Sequence, residues 1–218
     1  MARGARAPSQ RWLDLGEQQR AAVARAAVEL VCEGNFPLKV ADLAERAGIT
    51  RPTFYKYFPT LGSAVLHTAR TLLGELEAYL EPRLPQKANA RERLLARFAL
   101  SFKYSRSYPE LTRFFSYYDF SFREGGLTTD EDAERAAISH VAGNPFFELF
   151  KAGQADGSIE PSLPADVTYL ALVTSMTGTG QRLLIEGAWT TGADRRAQGV
   201  HQAMIDIWRH ALTPKKAK

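Results

Sequence analysis

Residues 50–58, Thr-Arg-Pro-Thr-Phe-Tyr-Lys-Tyr-Phe, gather polar chemistry on one short stretch. Wound as a helix, the stretch puts Phe54 and Phe58 together on a face that must be buried. The opposite surface then carries Pro52, Thr53 and Lys56, flanked by Tyr55 and Tyr57. A cation, a hydroxyl and two phenols have no hydrophobic reason to share one surface. They suit the major groove of duplex DNA, where Lys56 can reach a guanine edge or a phosphate and Thr53 a thymine methyl. The tyrosine hydroxyls can bond phosphates and set the docking register. The competing reading is a plain helical hairpin with a solvated face.

The residues just before supply what such a helix needs. Val40, Leu43, Ala44 and Ala47 share one face of a helix over about 40–47, while Asp42 and Glu45 point away. The two alanines let a second helix approach closely. Gly48 is placed for the left-handed conformation that ends a helix, and Ile49 can plug the corner. Thr50 is an N-cap whose hydroxyl can accept from the amide of Thr53, and Pro52 falls in the first turn, where its missing donor costs little. Two helices joined by a three- to four-residue bend make a helix-turn-helix.

Taken together, Val40-Ala41-Asp42-Leu43-Ala44-Glu45-Arg46-Ala47-Gly48-Ile49-Thr50 followed by Thr53-Phe54-Tyr55-Lys56-Tyr57-Phe58 closely resembles the signature of the TetR family of transcriptional regulators. Beyond this motif and its flanking helices the resemblance is only one of helix lengths. It implies DNA contacts at Thr50, Arg51, Thr53, Tyr55, Lys56 and Tyr57. Two positions depart from the family pattern. Lys39 stands where Thr or Ser often caps the first helix, so a cap is lost while a cation gains reach to phosphate. Phe58-Pro59 is followed by Thr60-Leu61-Gly62, where the family commonly has a phosphate-binding Lys.

The elements positioning these residues read as helical throughout. Val23, Ala26, Ala27, Leu30 and Val31 form a stripe on a helix from about 18 to 32, stopped by Gly34. Further helices are predicted at about 51–57, 62–80, 91–107, 109–123, 129–141, 145–155, 164–186 and 194–212. Thr128 with Glu131 forms a capping box for 129–141. The acids Asp130, Glu131 and Asp132 there are better explained by the helix dipole than by a cation site. No segment alternates with period two, so the expected fold is all-α. Its expected division is a DNA-binding domain with an N-terminal arm over 1–61 and a ligand-binding and dimerisation domain over 62–218.

Composition narrows the classes further. The chain has 218 residues, 45% of them hydrophobic, and a net charge of +4. Residues 1–58 hold nine Arg/Lys against six Asp/Glu, a mild lean toward polyanions. No apolar run reaches membrane-spanning length and the N-terminus does not read as a signal peptide, so a cytoplasmic protein is expected. Cys32, the single cysteine, excludes an internal disulfide and reads as an inert thiol near a helix C-terminus. His67, His140, His201 and His210 are scattered without metal-ligand spacing and no nucleophile motif is present, which argues against an enzyme. His67 reads as solvent-facing or as a pocket hydrogen-bonding group. Thr177-Gly178-Thr179-Gly180 follows no strand, and its small residues suit close helix crossing better than a phosphate loop. No cofactor is expected.

One recognition helix reads only a few base pairs, so two copies and a near-palindromic double-stranded operator are expected. The family resemblance implies a homodimer through a four-helix bundle of the last two helices. Ten of the 23 aromatic residues lie between Phe98 and Phe122, more than one buried stripe needs. The excess either packs on a partner subunit or lines a cavity. The resemblance favours a cavity for a small, largely apolar effector, with Tyr104, Tyr117, Tyr118, Phe146, Phe147 and Met176 as candidate lining. The alternatives are a DNA-binding regulator or architectural protein without a small-molecule effector, one answering to a protein partner, or a helical enzyme.

Overall fold

The computed structural model describes residues 10–122, 127–139, 143–185 and 195–215. Among them the chain forms ten α-helices and no strand: α1 (Gln10–Cys32), α2 (Val40–Arg46), α3 (Arg51–Tyr57), α4 (Leu61–Leu80), α5 (Ala90–Ser107), α6 (Pro109–Ser121), α7 (Thr129–Ser139), α8 (Pro145–Ala155), α9 (Ala165–Ile185) and α10 (Arg195–Leu212). A single 3₁₀ turn, Glu81–Arg83, follows α4. The expected all-α fold is thus the observed one, and no helix among the described residues is long and apolar enough to cross a membrane. Arg3 and Arg6 of the N-terminal arm lie outside the described residues, as do His140 and the ends expected for 129–141 and 164–186.

The largest difference from the sequence reading is α1, which starts at Gln10 rather than near 18. The stripe does not predict this extra length. Gly16, a poor helix former, lies against Tyr57 of α3: a Cβ there would stand 3.4 Å from the Tyr57 ring. The early turns of α1 therefore answer to a tertiary contact.

One apolar core runs from Val23 on α1 to Leu212 at the end of α10. α1 packs on α4 and α6, α5 lies against α8 and α10, and α6 leans on α9. The last turn of α8 and the loop after it tie these layers together. Asp156 Oδ2 and Ser158 Oγ accept from the amides of Ala90 and Arg91 (3.0 and 3.1 Å), satisfying the otherwise orphaned first donors of α5. Glu160 then pins the end of α10. Its amide donates to Leu212 O (2.9 Å), and its carboxylate accepts from the Lys215 amide (2.7 Å) and from the Ser162 hydroxyl (2.6 Å).

Those donors, the Lys215 amide foremost, hold the Glu160 carboxyl down at about 2, against 4.5 in an unfolded chain. A depressed folded-state pKa stabilises above the unfolded value and loses that contribution as pH falls through the folded one. In thermal melts between pH 7 and pH 2, Glu160→Gln is expected to be less stable than wild type above about pH 4.5. The gap should close toward pH 2. A gap independent of pH would show that the carboxylate charge is not what holds the α10 end.

Candidate nucleic-acid interface and the cavities beneath it

The bend between α2 and α3 is built as its residues dictate. Gly48 has φ +68°, its amide donates to Glu45 O (3.0 Å), and the Ile49 amide reaches back to Ala44 O (2.9 Å). Those bonds satisfy the last carbonyls of α2 and turn the chain. The Thr50 hydroxyl accepts from the Thr53 amide (3.2 Å) and contacts the Thr53 hydroxyl (2.9 Å), fixing the first turn of α3. Lys39 occupies the cap position of α2 and makes no side-chain cap bond, as its residue type requires.

Phe54 and Phe58 are buried with ring centroids 5.4 Å apart and anchor α3 to the core. Arg46 fixes α2 to α1 with bonds to both Glu33 oxygens (2.8 and 2.7 Å) and to Glu29 (3.3 Å). What remains outward is the set picked out from the sequence. Lys39, Thr50, Arg51, Tyr55 and Lys56 are exposed, Tyr55 by 53%, and Thr53 is half-exposed. Tyr57 differs: it leans back on α1, with the Arg20 guanidinium 5.7 Å from its ring and Lys56 Nζ 5.3 Å from the same ring. α3 carries two cations and no acid, so its outer face has a positive field.

Thr60, two residues past Phe58, opens α4. Its hydroxyl accepts from the Ser63 amide (3.0 Å) and Ser63 Oγ accepts in return from the Thr60 amide (3.2 Å). This capping box (Thr60-Leu61-Gly62-Ser63) was open to sequence reading and escaped it. Thr60 also donates to Glu131 on α7. The expected Thr128–Glu131 box is present, with the Thr128 amide on Glu131 Oε2 (2.8 Å) and the Glu131 amide on Thr128 Oγ1 (3.3 Å). One carboxylate therefore joins the first turn of α7 to the first turn of α4, seconded by Arg70–Glu134 (2.9 Å). Gly62 makes this approach possible, since a Cβ would stand 2.6 Å from Glu131 Oε1. His67, expected to face water or a pocket, instead packs on Phe58 (centroids 5.3 Å) between α3 and α4. Burial lowers its pKa, with Arg20 and Arg70 adding to the effect.

The candidate lining residues are divided among four places. Tyr118, Phe146 and Met176 line one cavity of about 530 Å³ within the body, walled also by Leu73, Phe102, Phe115, Tyr169 and Val173. The Tyr118 hydroxyl is buried there with no hydrogen-bond partner, and burial pushes its pKa up to about 12. Tyr117 points from the opposite side of α6 into a separate cleft beside α1 and α4. Tyr104 lines neither cavity and packs at a tilt between Tyr79 and Tyr108 (5.0 and 4.6 Å), while Phe147 packs on Tyr169 (5.3 Å). Helical periodicity alone cannot separate these four destinations, because neighbouring helices decide which side of α6 is hollow.

Among curated proteins none matches the sequence significantly. Residues 23–60 match the family model "Bacterial regulatory proteins, tetR family", a span covering the last part of α1, the whole helix-turn-helix and the cap of α4. Solved structures share the fold over nearly the full length. A TetR family transcription regulator from Marinobacter aquaeolei VT8 is 19% identical and covers 94% of this chain and 100% of its own, with a TM-score of 0.66. One from Chloroflexus aurantiacus J-10-FL is 20% identical over 95% and 99% of the two chains (TM-score 0.63). The transcriptional regulator FadR from Bacillus subtilis, in complex with stearoyl-CoA, is 16% identical over 88% and 98% (TM-score 0.69). With this motif, the bend around Gly48 and the outward face of α3 in agreement, residues 23–60 form the DNA-binding helix-turn-helix of the tetR family of bacterial regulatory proteins, set in a chain with the fold of TetR family transcription regulators.

Proposed function

We propose that the protein is a repressor that holds a near-palindromic operator as a homodimer and releases it when a small, largely apolar effector fills the body cavity. The observation that carries this reading is the outer face of α3, where Arg51, Tyr55 and Lys56 stand exposed while Phe54 and Phe58 are locked beneath. In it, residues 1–61 form the DNA-binding unit and residues 62–218 the ligand-binding and dimerisation unit. Thr53 and Lys56 read bases, and Lys39, Thr50, Arg51, Tyr55 and Tyr57 set the register on phosphates.

Dimerisation is supported by α9 and α10. Val167 and Leu170 on the first and Val200 and Ile207 on the second are exposed large apolar side chains, an arrangement that a partner's equivalent helices would cover. An effector is supported by the body cavity, its apolar walls and the unpartnered Tyr118 hydroxyl, which a ligand oxygen would satisfy. FadR, a regulator of the same fold, is found with stearoyl-CoA, a ligand with a long apolar body. The effector acts by binding one spacing of the two α3 helices more tightly than the other, and a preference of about 10⁴-fold moves the population from 1:99 to 99:1. α4 is the transmitting element, since its first turn is held by Glu131 of α7 and its later residues Leu73 and Leu76 line the cavity.

The test is to select bound fragments from genomic DNA with the purified protein and measure affinity against salt. Lys56→Ala is expected to weaken the selected site by about 5- to 150-fold, roughly 1–3 kcal/mol, with loss of preference at the base it reads. Uniform weakening across sequences with a shallower salt slope would reassign Lys56 to phosphate. Unchanged affinity would remove α3 from the interface.

A further inference from the structure

The geometry points to a second ligand site, outside the body cavity, that takes an aromatic carboxylate in the cleft between α1, α4 and α6, with Arg113 as its anion anchor. The cleft measures about 1120 Å³ and shares no lining residue with the body cavity. α6 separates the two: Arg113, Ser116, Tyr117 and Phe120 face the cleft, whereas Thr112, Phe115 and Tyr118 face the body cavity.

Three features of the cleft define the occupant. Its floor and rim are aromatic: Phe36 stacks on Tyr117 with centroids 5.6 Å apart and planes inclined by 21°, and Phe120 is 71% exposed at the edge. Large apolar rings left in water around a concavity mark a surface that a flat apolar body covers. A single cation stands among them. Arg113 lines the cleft together with Cys32, whose thiol pKa it lowers, and no carboxylate among the described residues lies within ion-pair distance of it. Glu110, one turn back on α6, and Glu33, engaged by Arg46, are the acids near this corner. A guanidinium in a largely apolar hollow is suited to a bidentate carboxylate. Finally, the walls come from both sides of the junction. Cys32 ends α1, and Leu61 and Val65 belong to α4, so an occupant touches the two helices that carry the helix-turn-helix.

Cys32 is the only cysteine of the chain and lines this cleft, so the protein carries its own reporter. Burial pushes its thiol pKa up while Arg113 opposes the rise. The experiment follows iodoacetamide alkylation of the full-length protein with 1-naphthylacetate and its uncharged analogue 1-naphthylacetamide as probes, each rate divided by the probe-free rate of the same variant. Saturable protection is expected from the acid, with the amide weaker by about tenfold or more, the range of a charge-assisted pair. Arg113→Gln should erase that difference. Met176→Trp, which crowds the body cavity, should leave it intact. No protection by the acid, equal protection by acid and amide, a preference that survives Arg113→Gln, or its loss in Met176→Trp would each overturn the assignment. The readout is binding at Cys32 alone, so it fails or holds independently of operator release.

Discussion

Phe54→Ala is expected to destabilise the protein by about 3–5 kcal/mol and to abolish DNA binding, the largest effect of any single truncation in the helix-turn-helix. Phe54 is fully buried, packs at a tilt on Phe58 and edge-on to Tyr55 (centroids 5.5 Å), so it is the peg by which α3 is held. Removing a buried phenylalanine forfeits its transfer free energy and leaves a cavity that α3, only seven residues long, has little neighbouring structure to fill. In a protein of this size each kcal/mol moves Tm by about 2–4 °C, so a fall on the order of 10 °C should appear in calorimetry. Phe54→Leu keeps most of the volume and should lose much less. Should the alanine variant melt within a degree or two of wild type, Phe54 would not be the anchor described above. DNA binding lost with the melt unchanged would instead mean that α3 detaches locally while the body stays folded.

The second large effect belongs to Arg97. Its side chain is 1% exposed, yet it carries a full charge in the core of the body. Glu77 of α4 and Glu81 of the following turn meet its guanidinium, the latter at 3.1 Å, and the same group lies 4.8 Å above the Phe146 ring. Arg97 thus ties α5 to the end of α4 and braces a wall of the body cavity. Truncation to alanine removes the buried partner and its packing together, and a loss of about 3 kcal/mol is expected. That is the low end of the range for broken buried pairs, because both carboxylates keep access to water. Arg97→Met, which restores the stem without the charge, should recover much of the stability. If methionine proves as damaging as alanine, the ion pair outweighs the packing. If neither variant changes the melt, the pair contributes nothing net. Both variants take the guanidinium off the Phe146 ring, so affinity for the effector proposed above should shift with them.

Arg97 also shows where sequence reading stops. Leu94, Leu95, Phe98 and Phe102 were legible as one face of α5, and Arg97 sits on that same stripe. Helical spacing puts the position on the buried face, but nothing local says that two glutamates sixteen and twenty residues earlier will meet it there. The bend around Gly48 was legible in full because each residue acts on its immediate neighbours: the positive φ, the Thr50 cap and the buried phenylalanines are all local chemistry. The Thr128–Glu131 box was legible for the same reason, while the third role of Glu131, receiving Thr60 across the fold, was not. Tyr57 was placed on the outward face by angle alone and is partly withdrawn by Arg20 and the close pass of Gly16. The candidate lining residues separated likewise. Their enrichment was visible, and their distribution between two hollows and two aromatic stacks depends on helix packing.

The Glu131–Thr60 contact bears on how such regulators can be recombined. Grafting a foreign reader head onto this body at residue 61 would look safe from the helix boundaries, yet the seam cuts between a hydroxyl on one side and its carboxylate on the other. A donor head lacking a hydroxyl at position 60 would remove the bond that crosses to that carboxylate, leaving it only partners such as the Thr128 amide on its own side, and a graft extended to put a side chain at position 62 would press on Glu131. On the division proposed above, a transplant should therefore run through residue 63, with the start of α7 kept as its matching socket.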